Sequence, residues 1–150
     1  MAEAAASTDE ANGIYLRGQN VRRNVLGDDY VDNSLRHKND FNESLQELVV
    51  KYCWGEVWAR EGLDRRTRSL INIAILTAIN RSHELRTHVR GAVNNGCTEE
   101  EISEVILQSA IYCGVPAAID ASRTAGEVLQ EIAEASRLQA EATTQAATAT

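Results

Sequence analysis

Leu70 to Ile79 is the stretch that most constrains how this chain can fold. Only Asn72 and Thr77 interrupt ten residues that would otherwise be apolar on every face of a helix. A helix apolar all round has to be buried all round, so the run predicts a central helix with others packed about it. It is far short of the ~20 residues a membrane span needs. Asp64 stands where the N-cap of this helix belongs. A single Pro, nine Gly and many Ala, Leu, Glu, Gln and Arg favour helices for the rest of the chain. No segment alternates apolar and polar residues as a strand does, so the expected fold is all-α. A length of 150 residues suits one domain.

Helical spacing recurs on both sides of the central run. Apolar residues at 14, 21, 25 and 26 lead to Gly27, a natural C-terminal glycine. Residues 29–39 are polar and irregular, a short helix or a loop. Positions 41, 45, 48, 49 and 52 then repeat at helical spacing, and Gly55 and Gly62 bracket a segment holding Trp54, Val57 and Trp58. Leu85, Val89 and Ala92 form the inner stripe of a helix over 81–95, with Gly96 beyond it. Thr98 and Glu101 make a capping box for a helix to about Cys113, with Ile102, Val105, Ile106, Ser109 and Tyr112 facing inward. Pro116 falls in the first turn of the last helix, where its missing N–H is harmless. That helix is expected to bury Ile119, Val128, Leu129, Ile132 and Leu138. Residues 1–12 and 139–150 are small and polar, expected to be disordered, and leave 13–138 as the folded domain.

Composition excludes some functions. The formal charge of −7 argues against a nucleic-acid binder, whose affinity comes from Lys and Arg neutralising phosphates. An anionic partner would have to meet a local arginine cluster. Cys53, Cys97 and Cys113 form no CxxC, disulfide framework or zinc signature and are expected as buried free thiols. The three histidines lack carboxylates at ligand spacing, so no metal is expected. No apolar leader follows Met1, and a cytoplasmic protein with no membrane partner is anticipated.

Three groups of residues could carry chemistry. Arg65, Arg66 and Arg68 open the central helix, where each cation opposes the macrodipole by a few tenths to ~1 kcal/mol. Either they bind an anion together with the exposed N–H groups, or they pair locally with Glu56, Glu61 and Asp64 or with another subunit. His88 lies at the edge of the 85/89/92 stripe, with Glu84 one turn earlier. The pair could tune the imidazole toward neutrality for acid–base work, or the histidine could be structural. Trp54, Glu56 and Trp58 cluster within five residues. The indoles could anchor the core or wall a pocket, and a carboxyl held against them would be a proton donor.

Together these segments resemble the carboxymuconolactone decarboxylase family. The resemblance is carried by Tyr52-Cys53-Trp54-Gly55-Glu56-Val57-Trp58, Gly62-Leu63-Asp64-Arg65-Arg66-Thr67-Arg68-Ser69, Glu84-Leu85-Arg86-Thr87-His88-Val89-Arg90-Gly91-Ala92 and Ala110-Ile111-Tyr112-Cys113-Gly114-Val115-Pro116-Ala117-Ala118. Arg22-Arg23-Asn24-Val25-Leu26-Gly27 looks like the family's opening segment, and the likeness covers about residues 14–133.

What the resemblance implies is specific. The fold would be an alkylhydroperoxidase D-like helical subunit in a homo-oligomer, a trimer or hexamer. Redox relatives carry Cys-x-x-Cys-x-x-x-His; counting back from His88, those cysteine positions hold Glu84 and Arg81, so thiol chemistry is not implied. The implied activity is a carboxy-lyase reaction without a cofactor. It takes 4-carboxymuconolactone, a small anionic lactone, to 3-oxoadipate enol-lactone in protocatechuate catabolism, the β-ketoadipate pathway. A paralogue of the same fold acting on another small or aromatic acid is the alternative. On this reading His88 and Glu56 are catalytic, and Arg66, Arg68, Trp54 and Glu84 bind substrate.

Overall fold

The computed structural model describes residues 2–148, and every regular element among them is helical. Met1 and the last two residues of the expected tail lie outside the described residues. The chain divides into two units, Met1–Arg68 and Ser69–Thr150. No helix among the described residues is long and apolar enough to cross a membrane.

In the first unit, α1 (Ala2–Leu26) packs along a π-helical segment, Val49–Trp58, while α2 (Asp28–Arg36) and α3 (Glu43–Leu48) fill the connection. Val21, Val25 and Leu26 from α1 meet Trp54 and Trp58, and these five residues form its core. Two glycines allow the close approach. A Cβ at Gly18 would lie 2.1 Å from the Val50 carbonyl oxygen, and one at Gly55 would lie 2.5 Å from that of Ile14. Backbone therefore meets backbone across this seam. Gly27, at φ +87°, ends α1 as anticipated. Buried Arg22 ties three helices together, donating to Ser34 Oγ at 3.1 Å and Gln46 Oε1 at 3.4 Å.

The second unit holds most of α4 (Arg65–Ala78), with α5 (Ser82–Asn94), α6 (Glu99–Cys113) and α7 (Val115–Thr148). Its core joins Ile73, Leu85, Val89, Ala92, Ile102, Ile106 and Val128, with small alanines of α7 between them. A fully buried Leu, Ile or Val contributes about 1.5–3 kcal/mol. The capping box is complete: Thr98 N–H donates to Glu101 Oε2 at 2.9 Å, and Glu101 N–H to Thr98 Oγ1 at 3.2 Å. Arg86 bonds Glu127 at 2.7 Å and Glu131 at 2.5 Å, and Arg90 also pairs with Glu131, fastening α5 to α7.

Several expectations change. The central run is buried on one face only: Ser69, Ile73 and Thr77 point inward, while Ile71, Ile75 and Ile79 are exposed, Ile75 by 50%. Phe41, Leu45, Leu48 and Tyr52 likewise face outward, and Val50, Trp54 and Trp58 supply the buried face in their place. Tyr112, Ile119 and Leu138 are exposed, and only one of the three free cysteines, Cys97, is buried. Helix α1 begins at Ala2 and α7 runs to Thr148, through both segments expected to lack structure. Their Ala, Glu and Gln content lets a helix nucleated by the packed body continue with little penalty.

Candidate functional site

The first unit contains a cavity of about 520 Å³ beside the loop 59–64. Val21, Trp58 and Leu63 give it an apolar wall, and Arg17, Arg60 and Arg65 bring three guanidinium groups to it. Glu61 and Asp64 are its acidic members. Local bonding sets this arrangement. Asp64 caps α4, accepting the Thr67 N–H at 2.7 Å and the Thr67 hydroxyl at 3.0 Å. Those two bonds, the backbone one first, hold its carboxyl below the ordinary aspartate range. The loop is pinned by Arg68, whose Nη2 donates to the Arg60 carbonyl at 3.2 Å. Arg17 is held by the π-helical segment: Nε donates to the Gly55 carbonyl at 2.9 Å and Nη2 to Glu56 at 3.1 Å.

In the second unit His88 is half-buried on α5. Its Nδ1 lies 3.3 Å from the amide nitrogen of Asn72 on α4. An amide N–H can only donate, so Nδ1 accepts and the proton of the neutral ring sits on Nε2. Burial pushes the imidazole below its ordinary value, and the charge of Glu84 offsets this only in part. His88 is therefore a neutral imidazole near pH 7, a hydrogen-bond donor through Nε2 and a base of modest strength.

The anticipated residues fall into these two settings. Arg66 is exposed, Arg68 is half-buried beneath the loop, and Arg65 is the member of the trio that lines the cavity. Trp54 is in the core, its ring centroid 4.9 Å from that of Trp58, and Trp58 is the indole that reaches the cavity. Glu56 is exposed and paired with Arg17, so its carboxyl does not rest against the indoles. Glu84 is exposed one turn from His88. Sequence reasoning passed over Arg17, Arg60 and Asn72. Asn72 left a signal, a polar residue inside the apolar run; Arg17 and Arg60 left none, because their place depends on how α1 and a loop pack.

Residues 43–127 match the profile of the carboxymuconolactone decarboxylase family. The chain is 46% identical over 118 residues to the 4-carboxymuconolactone decarboxylase of Acinetobacter baylyi, covering 79% of this chain and 88% of that one. It is 44% identical over 117 residues to a nitrosuccinic acid decarboxylase of Metarhizium robertsii, covering 77% of this chain and 82% of that one.

Proposed function

The chain belongs to the carboxymuconolactone decarboxylase family, and we propose that it decarboxylates 4-carboxymuconolactone to 3-oxoadipate enol-lactone without a cofactor. The observation that carries this reading is the 46% identity to an enzyme named for that activity, over 88% of its length. The chemistry needs no external electron sink. The ring carbon that loses carbon dioxide is conjugated through a double bond to the lactone carbonyl. The electron pair of the breaking C–C bond flows into that carbonyl and gives a dienolate. A proton then adds to the carbon beside the carbonyl, so a dianion becomes carbon dioxide and a monoanionic lactone.

The residues divide these tasks. His88 suits the developing oxyanion: Nε2–H donates to it while Asn72 holds Nδ1, and partial burial strengthens that bond. Glu56, an exposed carboxylate paired with Arg17, is assigned to relay a proton from solvent water to the dienolate carbon. Arg66 supplies positive charge for a carboxylate, and Arg68 acts through the loop it pins. Trp54 backs the Trp58 indole, and Glu84 moderates the His88 imidazole.

The likeness to the nitrosuccinic acid decarboxylase favours a second reading, a paralogue that decarboxylates another small acid. Both named substrates carry two carboxylates and an electron-withdrawing group.

The working domain is residues 13–138, acting in the cytoplasm as a homo-oligomer, a trimer or hexamer. Support for assembly comes from the exposed faces Ile71/Ile75/Ile79 and Phe41/Leu45/Leu48/Tyr52, since apolar stripes of that length on a soluble surface mark contact sites. The residue roles are tested by comparing His88→Ala and Glu56→Gln with the parent, following loss of the lactone's ultraviolet absorbance. Each variant should lose turnover by about a hundredfold or more. Near-parental rates in folded variants would show the roles to be wrong.

A further inference from the structure

We propose that the cavity beside loop 59–64 is the subsite for the carboxylate that the reaction keeps, with Arg17 and Arg60 selecting for it. The inference rests on the decarboxylase reading and adds a division of labour between the two carboxylates. A guanidinium that solvates a carboxylate stabilises the ground state and opposes its departure. The carboxylate to be lost is served best by weak solvation, and the one to be kept by strong, geometrically fixed charge. A cluster of arginines lining one open pocket therefore fits the retained group.

The geometry meets that requirement. Arg17 is oriented before any ligand arrives, through the Gly55 carbonyl and Glu56. Those two bonds use two of a guanidinium's five N–H groups. Arg60 sits on a loop whose carbonyl is anchored by Arg68, so its backbone position is set from beneath. Both Asp64 oxygens are occupied by Thr67, which leaves Glu61 as the lining acid without such an engagement. Its charge opposes any anion there, so a second carboxylate is disfavoured once the first has met the arginines. Val21, Trp58 and Leu63 offer an apolar surface to the carbon skeleton that bears it. At about 520 Å³ the cavity is within the roughly 300–1,000 Å³ of small-molecule sites.

The test uses 2-furylacetate, an unreactive ring with one carboxylate, and its methyl ester. The chain has two tryptophans, and Trp58 lines the cavity, so intrinsic fluorescence reports occupancy. The parent should show a saturable response to 2-furylacetate. Arg60→Gln and Arg17→Gln should weaken it about tenfold or more, the effect of losing a charge-assisted hydrogen bond. Arg17→Lys should recover part of the loss, and the ester should respond alike in all four proteins. Circular dichroism confirms that each variant is folded. The proposal is overturned if the parent gives no saturable response, if the variants bind as the parent does, or if the ester is weakened equally. Carbon dioxide release from the lactone by the parent is measured in parallel. Turnover with Arg60-independent binding removes the subsite and leaves the decarboxylase reading. Arg60-dependent binding without turnover does the reverse.

Discussion

Replacing Gly18 by Ala probes the seam on which the first unit depends. The added methyl would be placed 2.1 Å from the Val50 carbonyl oxygen and 3.0 Å from the Gly55 nitrogen. A carbon–oxygen contact settles at about 3.3–3.6 Å, so α1 has to retreat by roughly 1 Å. Both obstructing atoms are backbone, and no side-chain rotation relieves them. Overpacking of this kind costs about 1–3 kcal/mol. Alanine also gains about 0.5–1 kcal/mol over glycine inside a helix. Gly13→Ala, five residues earlier in α1, gives the same propensity gain with nothing within 4 Å of the new Cβ. The difference between the two variants therefore isolates the clash, at about 1–3 kcal/mol. Urea unfolding at matched protein concentration measures it, with equal m-values required for the comparison. Gly13→Ala should unfold at or above the parental midpoint and Gly18→Ala below both. If Gly18→Ala matches Gly13→Ala, the close backbone packing of α1 on Val49–Trp58 is refuted.

Other consequences are as direct. Burial lowers the His88 pKa, so the unfolded chain takes up this proton first as pH falls past about 6.5. Its stabilising contribution is complete above that pH and is lost as pH drops through the lower folded value. His88→Asn should flatten that part of a pH series of urea melts, and the acid limb of activity assigned to His88 should lie below the ordinary histidine range. An unchanged slope would contradict the burial argument. Thr98→Ala removes the side-chain half of the α6 capping box, the bond that Thr98 Oγ1 accepts from Glu101 N–H, and leaves the backbone half; it should cost about 1 kcal/mol by thermal or urea unfolding. Ile75→Lys places a charge on the exposed α4 stripe and should reduce the mass measured by light scattering without loss of helicity. A parental mass at all concentrations would exclude that face from the proposed assembly.

What the sequence revealed followed from local rules. Thr98 with Glu101, Gly27 after Leu26, and Leu85, Val89 and Ala92 on one face are each decided within one or two turns of helix, and each is found as read. The outward faces were misjudged for a physical reason. Apolar spacing says that Ile71, Ile75, Leu45 and Tyr52 are suited to contact, but not whether the contact lies within one chain. Residues 49–58 are wider than an α-helix, so positions counted at 3.6 residues per turn landed on the wrong side and missed Val50. The candidate site divides in the same way. His88 was legible from its stripe, whereas its partner Asn72 lies 16 residues earlier on another helix. Glu56 was legible as a charged residue among indoles, but its pairing with Arg17 spans 39 positions and no spacing rule encodes it.

Purified protein mixed with authentic 4-carboxymuconolactone provides the most direct measurement of the central claim. The account predicts stoichiometric release of carbon dioxide with formation of 3-oxoadipate enol-lactone. Turnover should persist after dialysis against a chelator and without added nucleotide, flavin or metal. Nitrosuccinate, run beside it, should be a poorer substrate. No carbon dioxide from the lactone, with turnover of nitrosuccinate or another small acid instead, would contradict the lactone assignment and leave the second reading in its place.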